Sequence, residues 1–137
     1  MKSDKWFDTT AVLAFAFGVW TMGICLPAAA APSSYHKTCR NISIERNVLS
    51  ALCKKGNGSE LRTSISLRGI ENIDGTLRVR DPNKSANFYL TCIDTRVYDK
   101  LLTSVCKKGN GQYQSTRISI NGIANLDGVL NYTSDPM

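Results

Sequence analysis

The chain has 137 residues and a net charge of +6, with 17 basic and 11 acidic side chains, five cysteines and one histidine. That length allows one domain, or two very small ones. A lone histidine argues against serine or cysteine hydrolysis, where the nucleophile needs a neighbouring base. It also argues against a zinc centre, for which paired Cys-x-x-Cys spacing or several histidines would be required. No metal, no cofactor and no enzymatic activity are expected.

In chain order, residues 1–30 are set apart first. Lys2 and Lys5 precede the apolar run AVLAFAFGVWTMGICL, which ends in Pro27 and a string of alanines. Basic start, apolar middle and small residues at the end are the layout of a secretory signal. Cleavage is expected after Ala30, leaving 31–137 as a secreted domain with no membrane attachment. An uncleaved anchor is the weaker reading, because Gly18, Gly23 and Pro27 interrupt the run and no basic cluster follows it. Cleavage would remove Cys25 and leave Cys39, Cys53, Cys92 and Cys106. Four cysteines in a small exported domain point to two disulfides.

The hexapeptide CKKGNG occurs at Cys53–Gly58 and again at Cys106–Gly111, a shift of 53 (106 − 53). At that shift TCRNISIERNVLSALCKKGNG overlies TCIDTRVYDKLLTSVCKKGNG, and TSISLRGIENIDGTL overlies TRISINGIANLDGVL, without gaps. A fixed period marks a duplicated structural unit. Repeat one is taken as 35–79, a connector centred on Pro82 as 80–87, and repeat two as 88–132. Three disulfide connectivities are compatible with the repeat. The local one, Cys39–Cys53 with Cys92–Cys106, closes the shortest loops and is the one expected, each bridge stabilising by about 3 kcal/mol.

Within each repeat the pattern reads as β. NISIE and TRVYD alternate, and NVLSALC places Leu49, Ala51 and Cys53 on one face. ERN and YDK are hairpin turns, and the two glycines of KKGNG supply positive φ for a longer connection. TSISL and TRISI are third strands. RGIEN and NGIAN are read as at most one helical turn. Asp74-Gly75 and Asp127-Gly128 then turn the chain into returning strands. His36 is expected in a solvated tail, and Asp74 and Asp127 as turn formers rather than catalytic carboxylates. Scattered cations and few aromatics argue against nucleic acid as a partner. A basic surface at Lys54, Lys55, Lys107 and Lys108 is one route to anionic ligands. Sequons stand at Asn41, Asn57, Asn83 and Asn131.

Over Tyr35–Tyr132 these residues resemble the cyanovirin-N homology family, in the order of motifs and the placement of both cysteine pairs. The resemblance implies an elongated, pseudo-symmetric all-β fold whose two repeats exchange strands, with the same local disulfides. It implies a lectin for mannose-rich oligosaccharides or glycoproteins, with a site at each end. Carried over by position, one carbohydrate site would use Glu71, Asn72, Asp74, Asn87, Thr91 and Lys107. The other would use Lys37, Thr38, Lys54, Asn125 and Asp127. Acidic positions of the family's sites are Lys54 and Leu90 here, and an arginine position is Gly109. A connector several residues longer than in the family's best-known member favours a closed monomer over a domain-swapped dimer.

Overall fold

The computed structural model describes residues 30–137. The expected leader, Cys25 included, lies outside the described residues except for Ala30. After a 3-10 turn at Tyr35–Lys37, repeat one runs β1 (Cys39–Glu45), β2 (Val48–Lys54), β3 (Glu60–Ser66), β4 (Ile70–Ile73) and β5 (Thr76–Val79). Repeat two has its own 3-10 turn at Phe88–Leu90. It continues with β6 (Cys92–Tyr98), β7 (Leu101–Lys107), β8 (Tyr113–Ser119), β9 (Ile123–Leu126) and β10 (Val129–Tyr132). The fold is all-β.

The first three strands of each repeat form an antiparallel meander, β1-β2-β3 and β6-β7-β8. Alternation decides which face is buried: Leu49, Ala51 and Cys53 point inward along β2, as do Leu102, Ser104 and Cys106 along β7. Cys39 lies directly across from Cys53, and Cys92 from Cys106. Both local disulfides form, each over a separation of 14 residues. Ser104 replaces Ala51 in the second core, and its hydroxyl is satisfied by Thr95 Oγ1 at 2.8 Å and the Ile93 carbonyl at 3.0 Å.

RGIEN and NGIAN are not helical turns. They contain β4 and β9, the first arms of two tight hairpins. The turns carry positive φ at both central residues, 49° and 86° at Asp74-Gly75 and 50° and 89° at Asp127-Gly128. A two-residue turn of this kind matches the twist of its flanking strands and so dictates their pairing. The KKGNG loops also differ from expectation. Only the second glycine of each, Gly58 (φ 84°) and Gly111 (φ 86°), adopts positive φ.

These hairpins are exchanged. The β9–β10 hairpin of repeat two packs on β3 of repeat one, and β4–β5 packs on β8 of repeat two. Threonine hydroxyls fix the docking: Leu130 N–H donates to Thr63 Oγ1 at 3.1 Å, and Leu77 N–H to Thr116 Oγ1 at 3.0 Å. Each composite body is plugged by the aromatic ring of a 3-10 turn. Tyr35 and Phe88, which are repeat equivalents, are fully buried. The Tyr35 hydroxyl donates to the Asp99 carbonyl, and burial, helped by the Asp99 carboxylate, pushes its ionisation far above the usual phenol range.

Candidate functional site

The site is built outward from the place where each exchanged hairpin meets the opposite CKKGNG loop. Asn72, on β4, donates through Nδ2 to Thr91 Oγ1 at 2.9 Å and to the Lys107 carbonyl at 2.8 Å. Its Oδ1 accepts the Gly75 N–H at 2.7 Å, and Asp74 Oδ1 accepts the Gly109 N–H at 2.8 Å. A Cβ on Gly75 would meet the Lys108 stem at 2.7 Å. The hexapeptide is thereby explained residue by residue, its last glycine by the positive φ given above. The cysteine closes the disulfide, and the first lysine offers its carbonyl. The second lysine lays its stem over the Asp-Gly turn, and the first glycine donates its N–H to the aspartate. Asn110 Oδ1 then closes the loop by accepting the Gln112 N–H.

Beside this clasp lies an open depression of about 270 Å³, lined by Glu71, Asn72, Ile73, Arg80, Asn87, Leu90 and Thr91. Four residues expected from sequence therefore converge: Glu71, Asn72, Asn87 and Thr91. The Asn87 amide reaches Glu71 Oε1 at 3.4 Å, and Arg80 Nε lies 3.7 Å from Glu71 Oε2. Carboxylate, amide and guanidinium thus share one rim, with Leu90, 70 % exposed, as an apolar lip. Asp74 and Lys107 do not line the depression, and their contacts are those of the clasp. Arg80 and Ile73 were missed, since the rim position of Arg80 depends on how the chain folds back after β5; Leu90, at an acidic position of the family's sites, was noted but not counted among the binding residues.

The other end repeats the clasp. Asn125 Nδ2 donates to Thr38 Oγ1 at 2.9 Å and the Lys54 carbonyl at 2.8 Å, and Gly56 N–H donates to Asp127 Oδ1 at 2.8 Å. Thr38, Lys54, Asn125 and Asp127 are thus brought together, and Lys37 precedes Thr38 on the exposed edge of its 3-10 turn. Around them the rim is different. The equivalents of Glu71, Arg80, Asn87 and Leu90 are Ala124, Thr133, Ser34 and Lys37. His36 is also not a solvated tail residue. The 3-10 turn holds it half-buried, edge-on to Tyr35 at 6.0 Å, with Nδ1 buried and unpartnered.

The sequence matches the CVNH domain over residues 35–131. Among solved structures, microvirin in its mannobiose complex is 31 % identical, with a TM-score of 0.58 over 74 % of this chain and 98 % of microvirin. A MoCVNH3 variant solved with (N-GlcNAc)4 superposes with a TM-score of 0.64 at 18 % identity, over 76 % of this chain and 99 % of the other. The T. borchii CVNH gives 0.62 at 24 % identity, over 73 % and 99 %. With the family's domain spanning most of the described residues and its exchanged, doubly bridged architecture in place, the chain belongs to the cyanovirin-N homology (CVNH) family.

Proposed function

We propose that this protein is a secreted, non-catalytic glycan-binding protein for mannose-type oligosaccharides, and that the Glu71 end is its principal site. The observation that carries this reading is the convergence of Glu71, Asn87 and Arg80 around an open depression whose floor is held rigid by the Asn72 clasp. Planar carboxylate and amide groups take two hydrogen bonds at once, which suits neighbouring sugar hydroxyls. Microvirin's complex with mannobiose supports the choice of mannoside. The two disulfides and the signal-like leader support export. At the other end Ala124 and Ser34 supply neither carboxylate nor amide, so binding there is weaker.

The test is an NMR titration of the oxidised domain with mannobiose and, separately, with (N-GlcNAc)4. Mannobiose should shift the amides of Glu71, Asn87 and Thr91 at lower concentration than those around Asn125. Absence of shifts at both ends, with either sugar, would overturn the reading. A second reading is an interaction protein that keeps the scaffold without sugar affinity. It is favoured by one fact: the polar groups of Asn72, Asp74, Asn125 and Asp127 are already engaged between the repeats. Under it, Glu71→Ala leaves every glycan response unchanged.

A further inference from the structure

The outer face of the β6–β7–β8 sheet carries a second set of ligand-like groups, away from both clasps. Register places Arg96 across from Thr103 and Thr103 across from Arg117, so the three side chains lie in one row on one face. Two strand spacings put the two arginine backbones roughly 10 Å apart, within reach of a common ligand over Thr103. Both arginines are exposed. Among the described residues neither has a carboxylate within 4.0 Å. Arg117 and Thr103 line a groove of about 380 Å³ together with Asp94, Ser104, Val105, Ser115 and Thr116. That volume lies in the range of about 300–1,000 Å³ usual for small-molecule sites.

The duplication provides an internal control. In repeat one the equivalent row is Ser43, Ser50 and Ser64, and Ser50 and Ser64 simply bond each other at 2.8 Å. Scaffold alone therefore does not call for cations at these positions. The arginines are a property of one repeat.

From this juxtaposition we infer that the outer face of the β6–β7–β8 sheet binds an acidic saccharide, its sulfate or carboxylate held between Arg96 and Arg117 and its hydroxyls facing Asp94, Thr103 and Ser115. Guanidinium forks match planar or tetrahedral oxyanions bidentately. Asp94 decides between a sugar and a bare anion. A carboxylate beside the cations repels free phosphate or sulfate, but it accepts the hydroxyls of a ring that carries the charge elsewhere. The surface is separate from the Glu71 depression, so this inference and the proposed function fail or hold independently.

Affinity would be measured in low salt for a heparin-derived octasaccharide, an oligogalacturonide of equal length, mannobiose and a thymidine oligonucleotide of matched charge. At least one acidic saccharide is expected to bind, salt-sensitively, and which of the two does so names the anionic group. The double variant R96S/R117S, which installs the serines of repeat one, is expected to lose about tenfold or more in that affinity and to leave the mannobiose response unchanged. R96Q/R117Q repeats the measurement should the serine variant fail to fold. Adding S43R/S64R to repeat one is expected to raise the number of acidic saccharides bound per chain. Retained affinity in the arginine variants overturns the site. So does loss that follows K54S/K107S instead, or equal binding of the oligonucleotide.

Discussion

At one end of the molecule Asn72 bonds Thr91 Oγ1, the Lys107 carbonyl and the Gly75 N–H, and Asp74 bonds the Gly109 N–H, at 2.9, 2.8, 2.7 and 2.8 Å. At the other end Asn125 and Asp127 make the equivalent bonds to Thr38, Lys54, Gly128 and Gly56, at the same four distances. A step further out the likeness stops. Glu71, Arg80 and Asn87 line the depression at one end, and Ala124, Thr133 and Ser34 hold the equivalent positions at the other. The comparison separates two jobs that the Asn-x-Asp-Gly sequence alone left merged. Clasp residues hold the exchanged hairpins, and rim residues carry the difference between the ends.

If the scaffold halves are equivalent, breaking either should cost the same. Removing the Cys39–Cys53 or the Cys92–Cys106 bridge by paired serine substitution is expected to cost about 3 kcal/mol each, because each closes a short loop. Urea unfolding midpoints and slopes measure it, and a difference well beyond 1 kcal/mol between the two would break the equivalence. Asn72→Ala and Asn125→Ala come next. Each strands a carbonyl, a hydroxyl and a turn N–H, at a cost of roughly 2 kcal/mol, again equal at the two ends.

The rim should behave in the opposite way. Glu71→Ala touches no clasp bond, so stability is expected to change by less than about 0.5 kcal/mol. Mannobiose affinity at that end should fall about tenfold with the loss of charge-assisted hydrogen bonds. Titration calorimetry beside a thermal melt separates the two readouts. The reciprocal variant A124E/S34N puts the missing carboxylate and amide on the other rim. A rise in mannoside affinity there would sharpen the comparison, and no change would show that Arg80 or Leu90 matters more than either.

How much of this was legible in the sequence follows from which atoms do the work. Side-chain alternation gave the meanders, since Leu49, Ala51 and Cys53 need no partner to be recognised as one face. The two bridges were legible from cysteine spacing within a repeat. Strand exchange came only with the family resemblance. The partner of Asn72 is a main-chain carbonyl 35 residues away, and a carbonyl leaves no letter in the sequence. RGIEN and NGIAN were misread because five residues holding a glycine have no period of their own. Their extended form is imposed by the strand across the Asp-Gly turn. His36 was misplaced for a related reason: three residues of 3-10 turn tuck it against Tyr35, and no pattern that short announces itself.

The smallest expected effect concerns one ion pair that only repeat one has. Arg40 grips Glu60 bidentately, Nε to Oε1 at 2.9 Å and the terminal nitrogen to Oε2 at 2.7 Å. Repeat two has Ile93 and Tyr113 at the equivalent positions, both about half exposed. The hydrogen bonds from Arg40, more than its charge alone, hold the Glu60 carboxyl below its ordinary range. A carboxyl lowered in the folded state contributes stability that is complete above its unfolded pKa of about 4.3. The contribution is lost as pH falls through the lower folded value. The pair is solvent-exposed, so the effect is small and shrinks with salt. Urea midpoints of the wild type and E60Q, followed from pH 6 downward, should differ by a constant amount until about pH 4.3 and then converge. The other carboxylates titrate in both proteins and cancel in that difference. Curves that stay parallel below this range would mean that Arg40 gives Glu60 no folded-state advantage, and that the two repeats are alike in their titration as well as in their clasps.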